Sequence, residues 1–158
     1  MGVGKLTVYT AVAEAREGVE VPFTLRIDNT DWNPLNSELY RLTMHDDSPA
    51  SPERCWWYDR EGRLCSRAED VERCWIWEGW VNALTDEQLT SSFLMPNFDV
   101  RLRFGLWRKA GPTWVKDDEG VLSVRLLRKV DWLRTALLIG GIAATAYLLG
   151  QVAKLVKR

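Results

Sequence analysis

The side chains that could carry catalytic chemistry in this sequence are few. Histidine occurs once, at His45, and is followed directly by Asp46 and Asp47. General acid–base catalysis would need a second group positioned against that histidine, and the sequence indicates none. The Gly-x-Ser-x-Gly elbow, the phosphate-binding loop and the dinucleotide fingerprint are absent from it. We therefore expect a protein that is not an enzyme, with no catalytic residues and no cofactor.

Acidic residues give a weaker indication of metal binding. The pair at 46–47 and the run at 117–119 could each bind Ca²⁺ in a loop, because this ion prefers oxygen ligands. Acids in surface turns are more often simply solvated, so no metal site is predicted. The formal net charge of −1 leaves no basic excess, and nucleic acid is not an expected partner.

The three cysteines lie in or at the end of one long segment, roughly residues 46–74. A loop of this length inside a compact domain is usually functional. The preferred interpretation is a disulfide between Cys55 and Cys65, which would close a small hairpin over residues 59–63. Cys74 would then be free, or paired elsewhere, including with another chain.

Two other interpretations of the cysteines stay open at this point. His45 could join the three thiols as a fourth zinc ligand, but the spacings of ten, ten and nine residues lack the close ligand pairs typical of zinc sites. The thiols could also be reduced and buried.

Aromatic residues crowd the same segment. The chain contains 9 Trp, and a domain of this size has too little core to hide all of them. Because Trp is enriched at interface anchors, we expect some of them to contact neighbouring protein subunits or lipid headgroups. The candidate partner-binding residues are Trp56, Trp57, Tyr58, Trp75, Trp77 and Trp80.

The elements that must position these residues are strands. Apolar and polar residues alternate with period two over residues 19–27 and 98–106, as in a strand with one buried face. Turn residues separate such runs, and no sustained helical period appears before residue 131. The sequence therefore predicts an all-β, antiparallel sandwich over residues 1–130, with the Cys- and Trp-rich insert at about 46–74.

One resemblance refines this expectation. Residues 19–29, VEVPFTLRIDN, resemble the second strand of immunoglobulin-like modules of the CARDB and adhesion type. Residues 95–100, MPNFDV, and 114–118, WVKDD, are similar to the final strands of small immunoglobulin-like domains in virion and surface proteins. The Cys-Trp-Cys spacing of antibody domains is absent. The resemblance implies an Ig-like sandwich with a binding or scaffolding role and no catalytic residues.

The C-terminal segment, residues 131–158, has the pattern of a single transmembrane helix. Residues 136–153, ALLIGGIAATAYLLGQVA, carry no charge and are bracketed by basic residues. Eighteen helical residues span roughly 27 Å, enough for a bilayer core. The alternative is a buried helix of a soluble assembly. Basic residues on both sides leave the orientation in the membrane open.

Small and aromatic residues in this segment suggest how the helix would be held. Gly140 and Ala144 are spaced by one helical turn, which lets a second helix approach closely. Trp132 lies at the entry, where aromatic residues anchor helices at the membrane interface. The predicted membrane-anchor residues are Trp132, Gly140, Gly141, Ala144, Tyr147 and Gly150.

Two functional classes follow from these features. The first is a non-enzymatic structural protein of a membrane-associated assembly, such as a virion or a cell-surface layer. Its sandwich would contact neighbouring subunits, including other copies of itself, and its C-terminal helix would hold it in the membrane. The alternative is an accessory single-pass subunit of a membrane enzyme complex. Both classes predict a membrane location and lipid and protein partners.

Overall fold

A computed structural model describes residues 4–128, and all regular elements in that range are β-strands. The strands are β1 (Gly4–Tyr9), β2 (Glu14–Ala15), β3 (Glu20–Asn29), β4 (Ser37–Asp46), β5 (Trp57–Tyr58), β6 (Leu64–Ser66), β7 (Trp77–Asn82), β8 (Asp86–Leu94), β9 (Val100–Ala110) and β10 (Thr113–Leu126). Over this part of the chain there is no helix that could cross a membrane. The predicted anchor at 131–158, with all six of its named residues, lies outside the described residues.

Two sheets pack face to face, which confirms the prediction of an all-β sandwich. The small sheet has the order β1-β3-β8. The large sheet has the order β2-β10-β9-β4-β5-β6, and β7 pairs with β4 beside β5. The alternation seen in the sequence fills the space between the sheets. The small sheet contributes Phe23, Leu25 and Ile27, and the large one Leu42 and Phe104, all buried in one cluster.

One side of the sandwich is closed by two carboxylates. The register of β10 against β9 shifts between Lys116 and Asp118, so the strand holds one extra residue there. Asp117 Oδ2 accepts a hydrogen bond from the Gly4 amide at 2.8 Å, and Asp118 Oδ2 accepts one from the Leu6 amide at 2.8 Å. Two amides on the free edge of β1 are thereby satisfied by side chains of β10.

A buried ion pair supports this closure. Arg108 Nε lies 2.9 Å from Asp117 Oδ2, and the two side chains are only 11% and 4% exposed. Arg108 sits on β9 at the position that pairs with Tyr40 of β4. The same carboxylate oxygen therefore joins β1, β9 and β10, and removing it would leave a buried guanidinium without its anion.

We expect Asp117→Ala to lower the free energy of unfolding by about 3–5 kcal/mol, because it leaves a buried charge uncompensated. Asp118→Ala is the matched control, since Asp118 accepts hydrogen bonds from the Leu6 and Glu119 amides but forms no buried ion pair, and its loss should cost only about 1–2 kcal/mol. Urea unfolding followed by circular dichroism measures both values. Equal losses for the two variants would mean that the ion pair with Arg108 adds nothing beyond the backbone contact.

Candidate functional site

The Cys- and Trp-rich insert, residues 47–76 in the structure, adds β5 and β6 to the large sheet beside the end of β4, and its last residues contact side chains on the outer face of that sheet. Thr43 and His45 point away from the sandwich core and are nevertheless buried. The ring of Trp57, itself buried, lies 4.6 Å from the ring of His45. His45 and Trp57 are thus cross-strand neighbours of β4 and β5, and residues 69–75 of the insert form an outer layer against the large sheet, where basic and aromatic side chains meet.

Arg41 is the centre of this outer layer. Its guanidinium lies 4.9 Å from the ring centroid of Trp75 and 4.3 Å from that of Trp114. Its Nη1 donates to the carbonyl of Val71 at 2.9 Å, and its Nε donates to the carboxylate of Glu78. A guanidinium that lies against two indole rings and donates hydrogen bonds to a carbonyl and a carboxylate is firmly held. Trp75 therefore has a structural partner within the domain.

The neighbouring strands repeat this arrangement of cations on indole rings. Lys116 Nζ lies 5.0 Å from the ring of Trp107, whose Nε1 donates to the Thr43 hydroxyl at 3.1 Å. Lys116 Nζ also lies 2.7 Å from a carboxylate oxygen of Glu69, which ties the insert to β10. Arg103 lies over Trp57 at 5.9 Å. The outer layer is held by paired charges and rings in place of a second aliphatic core.

The predicted disulfide between Cys55 and Cys65 is wrong, because the bridge joins Cys65 to Cys74. Cys55 is exposed and free, in a left-handed conformation with φ 73°. Its amide donates to the Asp46 carbonyl, and this contact holds the residue against the end of β4. The Cα atoms of Cys65 and Cys74 lie 6.0 Å apart, within disulfide range. The bridge fastens β6 to the segment before β7.

The single histidine, His45, lies beside two charged side chains, Arg103 and Asp47. Its Nδ1 lies 3.2 Å from Arg103 Nη2 and 3.4 Å from an oxygen of Asp47. Burial, reinforced by the Arg103 charge, lowers the pKa of His45 and favours the neutral ring. Among residues 4–128 no group of three or more His, Cys, Asp or Glu side chains could hold a metal ion.

The side of the sandwich opposite the closing carboxylates is open. A groove of about 410 Å³ lies there between the two sheets, with the turn of the β5–β6 hairpin as part of its wall. Trp77 lines it, and its ring occupies the space that a side chain at Gly79 would fill. A second groove of about 250 Å³ shares Met44 and Phe93 with the first and includes Tyr58. Burial, with Asp46 nearby, raises the pKa of Tyr58 to about 12.

Exposed apolar side chains cluster at one end of the sandwich. The β3–β4 loop carries Trp32 and Leu35, which are 79% and 91% exposed. The β7–β8 turn carries Leu84, 67% exposed, and its amide donates to the Asn29 carbonyl at 2.9 Å. We name Trp32, Leu35 and Leu84 the apolar tip. Trp80, also 67% exposed, lies on the nearby strand β7.

The loop that carries the apolar tip is held by a chain of side-chain-to-backbone hydrogen bonds. Asn29 Oδ1 accepts from the Asp31 amide, Asp31 Oδ1 from the Asn33 amide, and Asn33 Oδ1 from the Leu35 amide, at 3.0, 3.0 and 3.2 Å. Asn36 Nδ2 donates to Asp31 Oδ2 at 3.0 Å. Such turns fix a loop locally. The exposed side chains are therefore presented by an ordered backbone.

The six predicted partner-binding residues do not form one surface. Trp57 is buried against His45, and Trp75 lies against the Arg41 guanidinium. Trp56 lies 5.1 Å from the Arg67 guanidinium. Tyr58 and Trp77 line the two grooves, and Trp80 alone of the six is largely exposed.

The sequence reasoning missed the apolar tip. A signal was present, because Asn or Asp occurs at every second position from Asn29 to Asn33. That spacing is typical of successive side-chain turns, and such turns leave the intervening residue, here Trp32, free to point outward.

Comparisons with known proteins give no family for this chain. No protein-family model matches it, and no curated protein matches it. Among solved structures it is similar to Spo0M, a sporulation control protein from Bacillus subtilis, with 10% identity and a TM-score of 0.46 over 87% of this chain and 54% of that one. It is also similar to a β-glucosidase from Listeria innocua, with 12% identity and a TM-score of 0.43 over 79% of this chain.

This chain spans about half the length of Spo0M and only 16% of the β-glucosidase. With TM-scores below 0.5, neither likeness carries an argument about activity, substrate or partner.

We expect Cys74→Ser to lower the free energy of unfolding by roughly 2–3 kcal/mol, because the bridge restricts the unfolded chain by joining residues that are 9 positions apart. Cys55→Ser is the matched control and should change it by less than about 0.5 kcal/mol, since that thiol is free and exposed. Denaturant unfolding under non-reducing conditions measures both. Alkylation of the native protein should label Cys55 alone, and a linked Cys55–Cys65 peptide would contradict the assignment.

Proposed function

We propose that this protein is a non-enzymatic structural or assembly protein that a C-terminal helix holds in a membrane, as in a virion or cell-surface subunit. The sandwich would contact neighbouring subunits, including copies of itself, through the apolar tip. We also propose that the sandwich is immunoglobulin-like, on the strand pattern of residues 19–29 and 95–100. The exposure of Trp32, Leu35 and Leu84 on an ordered loop is the observation that carries the proposal.

The energetics of the apolar tip favour a protein contact. Large apolar side chains left in water gain about 25 cal/mol for each Å² that a partner covers. Preformed loop geometry also reduces the conformational entropy that binding would lose. Trp is the residue most enriched among strong interface contacts, and Trp32 is the most exposed aromatic side chain in the structure's described part.

The apolar tip and the last residue of β10 lie at opposite ends of the sandwich. β10 ends at Leu126, where it pairs with Ala15, at the end of the sandwich opposite the β3–β4 loop. A ten-residue strand such as β3 measures roughly 33 Å, which is the approximate separation of the two ends.

We expect the double variant Trp32→Ser and Leu35→Ser to lose its assembly with neighbouring subunits while keeping its melting temperature, because both side chains are solvent-exposed. The measurement is the molar mass of the full chain, with copurifying subunits, by light scattering in mild detergent. Tyr9→Ser is the matched control, since this aromatic side chain is 62% exposed near the other end. An unchanged mass for the double variant contradicts the proposed contact. A cofactor-bearing partner in the wild-type peak would favour the accessory-subunit alternative.

We expect the full chain to stay with membranes after carbonate extraction, and a chain ending at residue 128 to be released as a folded β-protein. The physical reason is that the sandwich has its own core, whereas residues 136–153 are an uncharged apolar run. Fractionation and circular dichroism measure the two outcomes. Aggregation of the shortened chain would show that the apolar segment belongs to the core of the protein.

A further inference from the structure

The free edge of β8 points its hydrogen-bonding groups away from the small sheet. Within residues 4–128, β8 pairs with β3 alone. Backbone hydrogen bonds at both ends of this pairing show which residues of β8 bond to β3. The Met95 amide donates to the Val19 carbonyl, and the Asn29 amide donates to the Thr85 carbonyl. Because antiparallel strands alternate, odd-numbered residues of β8 bond to β3. The amides and carbonyls of the even-numbered residues, Thr90 among them, face outward from the sheet.

The same rule accounts for the opposite edge of the small sheet. There the outward-facing amides of β1 belong to Gly4 and Leu6, and Asp117 and Asp118 accept their hydrogen bonds. Along β8 no side chain of residues 4–128 accepts a hydrogen bond from an outward-facing amide, and the strand contains no Lys or Pro, the residues that commonly protect an edge from pairing. The β1 edge of the small sheet is therefore closed by side chains, and the β8 edge is available for pairing with another strand.

An apolar groove lies directly beneath the free edge. Leu89 and Phe93 of β8 line it from the small sheet, and Met44 and Ile76 line it from the large-sheet side. Alternate side chains of a strand are spaced by about 7 Å, so the stretch from Leu89 to Phe93 matches two or three inward side chains of an added strand. The groove volume of about 410 Å³ is large enough to take them.

The charges around the opening are mostly acidic. Glu87 is exposed near the start of β8, and Glu53 lines the adjoining smaller groove at the other end. Arg60 lies beside the groove but is engaged with the ring of Trp75 at 5.7 Å. A bound segment would therefore be favoured by basic residues at its two ends.

We propose that β8 is a docking site for an extended polypeptide segment of a partner, which adds to the small sheet as an antiparallel fourth strand. The segment's alternate apolar side chains enter the groove, and basic residues flank them. This site lies apart from the apolar tip and does not depend on the function proposed above.

The test uses a fluorescent eight-residue peptide in which three valines alternate with three threonines between terminal lysines. In an antiparallel pair, the peptide residue opposite Thr90 exchanges backbone hydrogen bonds with it, and its side chain lies on the same face of the sheet as that of Thr90. With threonine at such positions, the threonine amides bond to β8 and the valine side chains enter the groove. N-methylation of the threonines should weaken binding to the full chain at least tenfold. N-methylation of the valines, the matched control, should leave binding within about twofold. Equal or reversed effects would overturn the proposal.

A substitution in β8 tests the same backbone pairing from the side of the protein. Thr90→Pro removes an amide that faces solvent, so the strand should still pair with β3, whereas peptide affinity should fall at least tenfold. Thr90→Val keeps the amide and should bind as the wild type does. If Thr90→Pro unfolds, hydrogen exchange decides in the wild type: the peptide should slow exchange at Gln88, Thr90 and Ser92. No slowing, or dimerisation of the chain through β8 without peptide, would overturn the assignment.

Discussion

Two carboxylates on one irregular stretch of β10 hold the small sheet onto the large one along a whole side. The extra residue between Lys116 and Asp118 brings both side chains to the edge of β1. There they take over hydrogen bonds that a neighbouring strand would otherwise make. Arg108 compensates the charge of Asp117 where water is excluded. Without this contact, β1 would be an exposed edge and the core beneath Leu6 would open to solvent.

The two sides of the sandwich differ, because side chains of β10 close the β1 side whereas a groove opens on the β8 side. The β7–β8 turn carries the chain from the large sheet to the small one, and among residues 4–128 β8 then has a neighbour on one side only. The grooves beneath it are lined by Phe93 and Met44, which are only partly buried. The core is thus complete at the side of β1 and incomplete at the side of β8, which is where an added strand would have most apolar area to cover.

The insert shows how a small domain uses many Trp residues without exposing them. The guanidinium of Arg41 lies close to the rings of both Trp75 and Trp114, and Lys116 lies over Trp107. In each case the charged group lies against an indole ring and keeps a carboxylate or carbonyl partner. This layer hides rings that composition alone assigned to partner contacts. The two most exposed large apolar side chains, Trp32 and Leu35, lie instead on a loop held by Asn and Asp.

The sequence alone determined the strands and the sandwich, because period-two alternation is a local property that requires one buried face. It also indicated the insert and the uncharged segment after residue 131. Tertiary structure decided which cysteines pair, since the Asp46 contact holds Cys55 at the end of β4 while a turn brings Cys74 to Cys65. It likewise decided which rings are covered. Pairing and coverage depend on strands distant in sequence, and no local pattern specifies which distant strand a residue will meet.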